Sequence, residues 1–110
     1  MLKYICEPEK IGPINVIVED EGEVSTLEHY VLHSPDGFQM VYGGSGPAEL
    51  ARCILIDYFK RKQGLNEKVA INKSDKMHQQ FKWDFITPAK KKLIITNLMI
   101  REWLLKNAKK

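Results

Sequence analysis

Cysteine motifs of redox and zinc-binding proteins are absent from this 110-residue sequence. It contains two cysteines, Cys6 and Cys53, which lie far apart and form no CxxC pair. This spacing argues against a zinc knuckle or a redox-active pair, so we expect both thiols to stay reduced. Apolar runs of membrane-spanning length are also missing, and Glu7 interrupts the N-terminus too early for a signal-peptide core. Together these absences predict a cytoplasmic protein that makes no membrane contact.

A catalytic or metal-binding set of residues is missing as well. No spaced acid and base, metal-ligand cluster or activated nucleophile can be assembled from the sequence. His29 and His33 fall on one side of a predicted strand, where they would stand about 13 Å apart, too far to share a metal ion. We therefore assign no catalytic residue, no metal and no cofactor, and favour a protein that is not an enzyme.

The composition that is present is typical of an ordinary globular domain. Hydrophobic residues make up 44% of the sequence and charged residues 28%, as in most folded proteins. A chain of 110 residues has room for one hydrophobic core. We therefore expect residues 1–110 to form a single compact domain.

Charge is distributed unevenly along the chain. Residues 1–59 contain ten acidic and three basic side chains, a net charge of −7, whereas residues 60–110 contain four acidic and fourteen basic ones, a net charge of +10. A basic half can attract nucleic acid or an acidic partner, and it can equally complement the acidic half of its own fold. The side chains available to grip phosphates and stack on a base are Lys60, Arg61, Lys62, Trp83, Lys90, Lys91 and Lys92. No recognised nucleic-acid motif accompanies them.

Strand-forming residues dominate the first part of the chain. The predicted strands are 2–6, 14–18, 24–33 and 38–42, with a turn at 34–37 between the last two. A helix is predicted over residues 47–62, because Pro47 is favoured at the first helical position and Gly64 lies just beyond the end.

Two further helices are predicted in the second half. After a short segment at 69–71, Ser74 or Asp75 caps a helix that ends before Pro88, and Thr96 caps a last helix that follows a brief strand at 93–95. The fold class is therefore α+β: an antiparallel sheet of about four N-terminal strands followed by three helices. The side chains expected to be buried together are Leu50, Ile54, Leu55, Tyr58, Phe81, Phe85, Ile100, Trp103 and Leu104.

The first predicted helix is apolar nearly all round. Cys53 and Ile56 lie opposite its main apolar face, beside Glu49, Arg52 and Lys60. A helix of this kind usually packs on more than one side. It is therefore either the central helix of the domain or part of a subunit contact through Cys53 and Ile56, which would make the protein a homo-oligomer.

A glycine-rich junction, YGGSGPAEL at residues 42–50, leads into that helix. Backbone N–H groups at a helix N-terminus can cradle a phosphate or carboxylate, so the candidate contacts of a small anionic ligand are Gly43, Gly44, Ser45 and Gly46. Neither nucleotide-binding motif is satisfied, and Glu49 would repel an anion approaching the first turn. The alternative is a structural turn, in which the glycines take positive φ so that the helix folds back onto the sheet.

The run YGGSGPAELA at residues 42–51 resembles the signature YGGSGPAxLA of a small family of unknown function found in bacteria and their phages. The stretches 80–82 and 100–104 are also similar to that family's later helices. The resemblance implies no assigned activity and carries over no catalytic residue. It does imply a phage or mobile-element context, in which small proteins often act as inhibitors, sequestering agents or accessory binding modules.

The function predicted from these observations is a small non-enzymatic binding or interaction module, with the 43–46 turn as the first candidate for ligand contact. Its expected partner is a small anionic ligand or a protein. The alternative is a nucleic-acid-binding accessory protein that uses the basic second half of the chain.

Overall fold

The computed structural model describes residues 1–7, 14–32, 37–38, 40, 45–89 and 91–107. These residues form a four-stranded antiparallel sheet and four α-helices, which confirms the predicted α+β class. The strands are β1 (Lys3–Cys6), β2 (Val16–Asp20), β3 (Glu23–Thr26) and β4 (Leu93–Thr96). The helices are α1 (Ser45–Lys62), α2 (Glu67–Asp75), α3 (His78–Phe81), which continues as a π-helical segment (Lys82–Ile86), and α4 (Asn97–Asn107). Within these ranges, no helix combines the length and the apolarity that crossing a membrane requires.

The fourth strand of the sheet comes from the C-terminal half of the chain rather than from the N-terminal half. The strand order is β3-β2-β1-β4, with β1 paired to both β2 and β4. In the described part of the predicted strand 38–42, Phe38 forms an isolated bridge to Ile14, while residues 41–42 and most of the predicted turn at 34–37 lie outside the described residues. β4 lies beside β1 instead, and its residues Ile94 and Ile95 are β-branched, which suits a pleated sheet.

β2 and β3 form a hairpin with a two-residue turn. Both turn residues, Glu21 and Gly22, have positive φ angles, 51° and 85°. This pairing of angles is typical of the type I′ turn, whose twist matches that of the flanking strands. β3 ends at Thr26, so the strand predicted over 24–33 is wrong for residues 27–32, of which residues 29–32 lie against α1 instead, and residue 33 lies outside the described residues.

Side chains alternate between the two faces of the sheet. Tyr4 is paired with Val18 on one side and Ile95 on the other, and all three are at most 1% exposed. The Tyr4 hydroxyl donates to Asp57 of α1 at 2.6 Å, which places α1 over this buried face. The opposite face carries the row Ile5, Ile17 and Ile94.

α1 is the central helix of the fold. Every residue from Gly46 to Phe59 except Asp57 is buried, and α2, α3 and the π-helical segment all pack against it. Cys53 and Ile56 are both 0% exposed within the single chain. Their burial therefore needs no second subunit. Of the two explanations for a helix that is apolar nearly all round, the structure shows that α1 is the central helix of the domain.

α2 is the helix that the sequence does not predict, so the described residues form four helices rather than three. Asn66 caps it, with its side-chain oxygen accepting from the Val69 N–H at 2.9 Å. Ser74 lies in the last turn of α2 instead of capping the next helix, which begins at His78. The cap of α4 is as predicted, because the Thr96 hydroxyl accepts from the Met99 N–H at 3.2 Å.

The predicted shared core is largely confirmed. Phe85 and Leu104 are partly buried and pack against the core. The other predicted members are buried in it: Leu50, Ile54, Leu55, Tyr58, Phe81, Ile100 and Trp103.

Candidate binding site beside helix α1

The glycine-rich turn lies only partly within the described residues. Gly43 and Gly44 lie outside them, whereas Ser45 is the exposed first residue of α1 and Gly46 is buried directly after it. α1 therefore begins two residues earlier than predicted, and Pro47 sits inside its first turn. Contact of an anionic ligand with these four residues stays a prediction.

Glu49 is a buried charge beside this first turn. Its side chain is 0% exposed, and its carboxylate oxygens accept from the N–H of Leu32 at 3.1 and 2.9 Å. Oε2 also lies 2.9 Å from Nε2 of His29. Because an ionised carboxylate only accepts hydrogen bonds, Nε2 is the donor in this pair. Buried charge is tolerated only when it is paired and hydrogen-bonded, so these contacts attach residues 29–32 to α1.

Arg52 and Cys53 hold the backbone of Tyr30 one turn further along α1. Arg52 Nη1 donates to the Tyr30 carbonyl at 2.7 Å, and the Tyr30 N–H donates to Cys53 Sγ at 3.3 Å. Arg52 Nε in turn donates to Asp75 at the end of α2 at 2.6 Å. Glu49, Arg52 and Cys53 share one helix face because they are spaced i, i+3 and i+4. We call these three side chains the clamp and residues 29–32 the clamped segment.

The clamped segment presents two large apolar side chains to solvent. Val31 is 59% exposed and Leu32 is 54% exposed. The side chain of Tyr30 makes a further contact with α1, because its hydroxyl accepts from Lys60 Nζ, near the C-terminal end of the helix, at 2.9 Å. Binding residues are often carried by non-regular segments that a rigid scaffold positions, and adjacent exposed apolar side chains often mark such a surface.

A depression of about 300 Å³ lies beside the clamped segment. The His29 ring packs on Phe38 in its wall, with ring centroids 4.8 Å apart. The other apolar lining residues are Ile14, Val16 and Leu27. This volume is at the lower limit of small-molecule pockets, so the depression suits an inserted side chain better than a nucleotide.

The side chains around His29 hold the backbone of the clamped segment, and they do not form a catalytic pair of nucleophile and base. Glu49 orients the imidazole, but the nearby thiol of Cys53 is occupied by the Tyr30 backbone. Burial raises the pKa of Cys53 to about 12, so the reactive thiolate is not populated at neutral pH. In the part of the chain that the structure describes, no group of three His, Cys, Asp or Glu side chains is placed to hold a metal ion.

Comparison with known protein families assigns this chain to a family. The sequence matches a family of unknown function, DUF6166, over residues 8–106. The chain belongs to DUF6166. The match confirms the resemblance to a family of unknown function, and it covers both the clamp and the clamped segment. No curated protein and no solved structure matches the chain.

In this DUF6166 member, the basic residues 60–62 form ion pairs with acidic side chains of their own fold. Arg61 lies 2.8 Å from Asp57 and 3.4 Å from Asp20. Lys62 also lies 3.3 Å from Asp20, and Lys60 lies 3.4 Å from Glu67. At this end of α1 the basic half of the chain therefore complements acidic groups within the protein, as one of the two interpretations of the charge asymmetry predicts.

The other residues considered for nucleic-acid contact differ in their surroundings. Trp83 is 53% exposed, and Lys82 Nζ lies 4.4 Å above its ring. Lys92 lies 3.3 Å from Glu7, Lys91 is exposed, and Lys90 lies outside the described residues. Nucleic-acid binding by these residues stays a prediction.

The clamp itself is not predicted from the sequence, where we interpret Glu49 only as a charge that repels anions. The signal that points to it is the placement of Glu49 and Arg52 on a helix whose other faces are apolar. Charged residues on such a helix become buried with it, and buried charges require polar partners.

Proposed function

We propose that the protein is a non-enzymatic binding module that recognises a protein partner through the clamped segment. The observation that carries this proposal is the burial of Glu49, whose carboxylate is 0% exposed and is bonded to Leu32 and His29. Placing a carboxylate in the interior is costly unless hydrogen bonds replace its hydration. Here those bonds fix the backbone of a surface segment that belongs to no strand or helix.

The character of the clamped segment favours a protein partner over an anion. Val31 and Leu32 offer apolar surface on a backbone that is already ordered, which lowers the entropy cost of binding. The depression beside His29 has a mixed wall, in which the polar residues Asn15 and Thr26 join the apolar ones, and its size suits an inserted side chain of a partner. Glu49 places negative charge beside the first turn of α1, which opposes an anion there. The proposal therefore moves the main contact from residues 43–46 to the clamped segment.

A reducing cytoplasm is part of the proposal. Cys6 and Cys53 are free and buried, and burial raises the pKa of each thiol to about 12. The phage or mobile-element context is also retained as a proposal, on the strength of the run at residues 42–51. In that context a module with a preformed apolar surface suits an inhibitor or an accessory subunit.

Photocrosslinking inside the source cell tests the proposed surface. A photoreactive amino acid at position 31 is compared with one at position 69, because Val69 of α2 is a comparably exposed apolar residue at 44%. We expect a discrete protein adduct from position 31 and none from position 69. Equal labelling from both positions, or no adduct from position 31, contradicts the proposal.

The partner identified in this way is then bound in purified form. Val31→Ser and Leu32→Ser are each expected to weaken the complex about tenfold, which corresponds to about 1.4 kcal/mol of lost apolar contact. Val69→Ser is the matched control and is expected to leave the affinity unchanged. Unchanged affinity for both variants of the clamped segment would exclude it as the contact.

A further inference from the structure

β3 is an open edge of the sheet. It lies at the end of the strand order β3-β2-β1-β4, and all four of its residues are exposed. Natural proteins often block a sheet edge with proline, lysine or a bulge. β3 contains neither proline nor lysine, and its register against β2 is continuous. Among the described residues, β2 is its only partner strand, so the other side of β3 is free to pair with another chain.

The backbone groups on the free side of β3 belong to Val24 and Thr26. The Leu27 N–H donates to the Val16 carbonyl at 2.9 Å, and these residues extend the β2–β3 register by one pair. Hydrogen-bonded and non-hydrogen-bonded pairs alternate along an antiparallel ladder, so the residues two and four positions before Leu27 also bond to β2. The N–H and C=O groups of Val24 and Thr26 therefore point away from β2, where an added strand can bond to them.

This edge leads directly into the proposed contact surface. Thr26, at the end of β3, and Leu27 line the depression beside His29. His29 is also the first residue of the clamped segment, so the edge and that segment share the depression. A chain that pairs with β3 is therefore placed to insert a side chain there.

The surroundings of this edge are acidic. Residues 11–51 contain seven acidic side chains and no lysine or arginine. Basic groups from elsewhere in the fold lie against Asp20 and Glu21. Glu23 and Glu28, which precede and follow the outward-facing residues, are exposed and form no ion pair with any described residue. Their charge attracts a basic chain, and it opposes pairing with a second copy because that copy has the same acidic edge.

We propose that β3 binds an extended, basic segment of a partner protein as an additional strand, with one side chain of that segment in the depression beside His29. Main-chain bonds at Val24 and Thr26 supply affinity, and the depression selects the inserted side chain. This inference rests on the proposed function and deepens it, because it specifies the segment that the protein partner presents. It adds β3 to the contact surface formed by the clamped segment.

A peptide titration followed by NMR tests strand addition before the partner is known. The probe is a short capped peptide in which lysine and valine alternate, and its acidic counterpart alternates glutamate and valine. The lysine peptide is expected to shift the amide signals of Val24 and Thr26 and to slow their hydrogen exchange, whereas the acidic peptide leaves them unchanged. Unchanged signals with the lysine peptide, or equal shifts with both peptides, overturn the proposal.

Two variants separate main-chain pairing from charge. Val24→Pro removes an outward N–H but no bond to β2, so it is expected to weaken binding of the lysine peptide about tenfold. Ile94→Pro is its control, because Ile94 faces outward from β4 at the other edge of the sheet. Glu23→Lys is expected to weaken binding at least about threefold, with Glu102→Lys, an exposed carboxylate of α4, as its control.

Both controls are expected to bind like the wild type. Equal weakening by a variant and its control overturns the proposal, as does wild-type binding by both β3 variants. Circular dichroism establishes that each variant is folded, and Glu23→Lys tests the proposal alone if Val24→Pro unfolds the chain.

The purified partner separates this inference from the proposed function. A partner that crosslinks at position 31 and binds Val24→Pro as tightly as the wild type contradicts strand addition and leaves the clamped segment as the contact. Binding of the lysine peptide at β3, together with no adduct from position 31, supports strand addition and contradicts the proposed function.

Discussion

Glu49→Ala removes the carboxylate that accepts from the Leu32 N–H and from His29. Both donors then lose this acceptor in a region where water has little access, since Glu49 is 0% exposed. Hydrogen bonds to a charged group contribute about 1.5–3 kcal/mol each, so we expect a loss of about 3–5 kcal/mol in the free energy of unfolding. Glu49→Gln keeps the shape and one acceptor oxygen, so it is expected to cost less, about 1–2 kcal/mol.

Urea unfolding followed by circular dichroism measures both losses from the shift in midpoint at constant m-value. Glu23→Ala is the control, because Glu23 is an exposed carboxylate in β3, and a surface change of this kind alters stability by less than about 0.5 kcal/mol. A Glu49→Ala variant as stable as the control would refute the reasoning, since it would show that the clamp contributes nothing to the fold.

Three other properties of the fold and the surface follow from the same structure. Stability is expected to fall as the pH rises above about 9, because burial raises the pKa of both Cys6 and Cys53 to about 12, whereas the thiols of the unfolded chain ionise near pH 8.5. Cys6→Ala should remove part of this slope in urea titrations at increasing pH, and an unchanged slope would show that the Cys6 thiol does not contribute. Asp84→Ala removes the acceptor of the Trp103 indole N–H at 2.6 Å, so we expect about 1–3 kcal/mol of destabilisation by tryptophan fluorescence, and no loss would contradict a structural role for this bond. Weak binding of DNA and RNA at low salt is expected in fluorescence anisotropy, because residues 60–62 are paired with acidic groups of the fold. Tight binding that falls steeply with salt, with a slope reduced by neutralising residues 90–92, would instead favour the nucleic-acid alternative.

Local signals in the sequence predict much of the fold. Thr96 predicts the start of α4, and the first part of the chain predicts β1 and β2 to within about two residues, the usual uncertainty of element ends. α2 is missed because Val69 and Ile71 are β-branched and favour strand by propensity, whereas burial of Ala70 against the core stabilises a helix.

The partners of the clamp are set by tertiary structure and have no local signal. Leu32 lies 17 positions before Glu49 in the sequence, and Tyr30 lies 22 positions before Arg52. Which backbone groups meet those side chains depends on where β3 ends and how residues 29–32 approach α1. The charge of Glu49 and Arg52 on an apolar helix indicates that they need partners, but it does not identify them.

Hydrogen exchange at the backbone amides of Tyr30 and Leu32 tests the clamp most directly. These amides belong to no strand, yet the structure pairs them with Cys53 Sγ at 3.3 Å and with Glu49 at 2.9 Å. We predict that both exchange slowly in the wild type, and that Glu49→Gln accelerates exchange at Leu32 by about tenfold for each 1.4 kcal/mol of lost local stability. Exchange of both wild-type amides at the rate of an unstructured chain would contradict the clamp, and with it the preformed surface on which the proposed function depends.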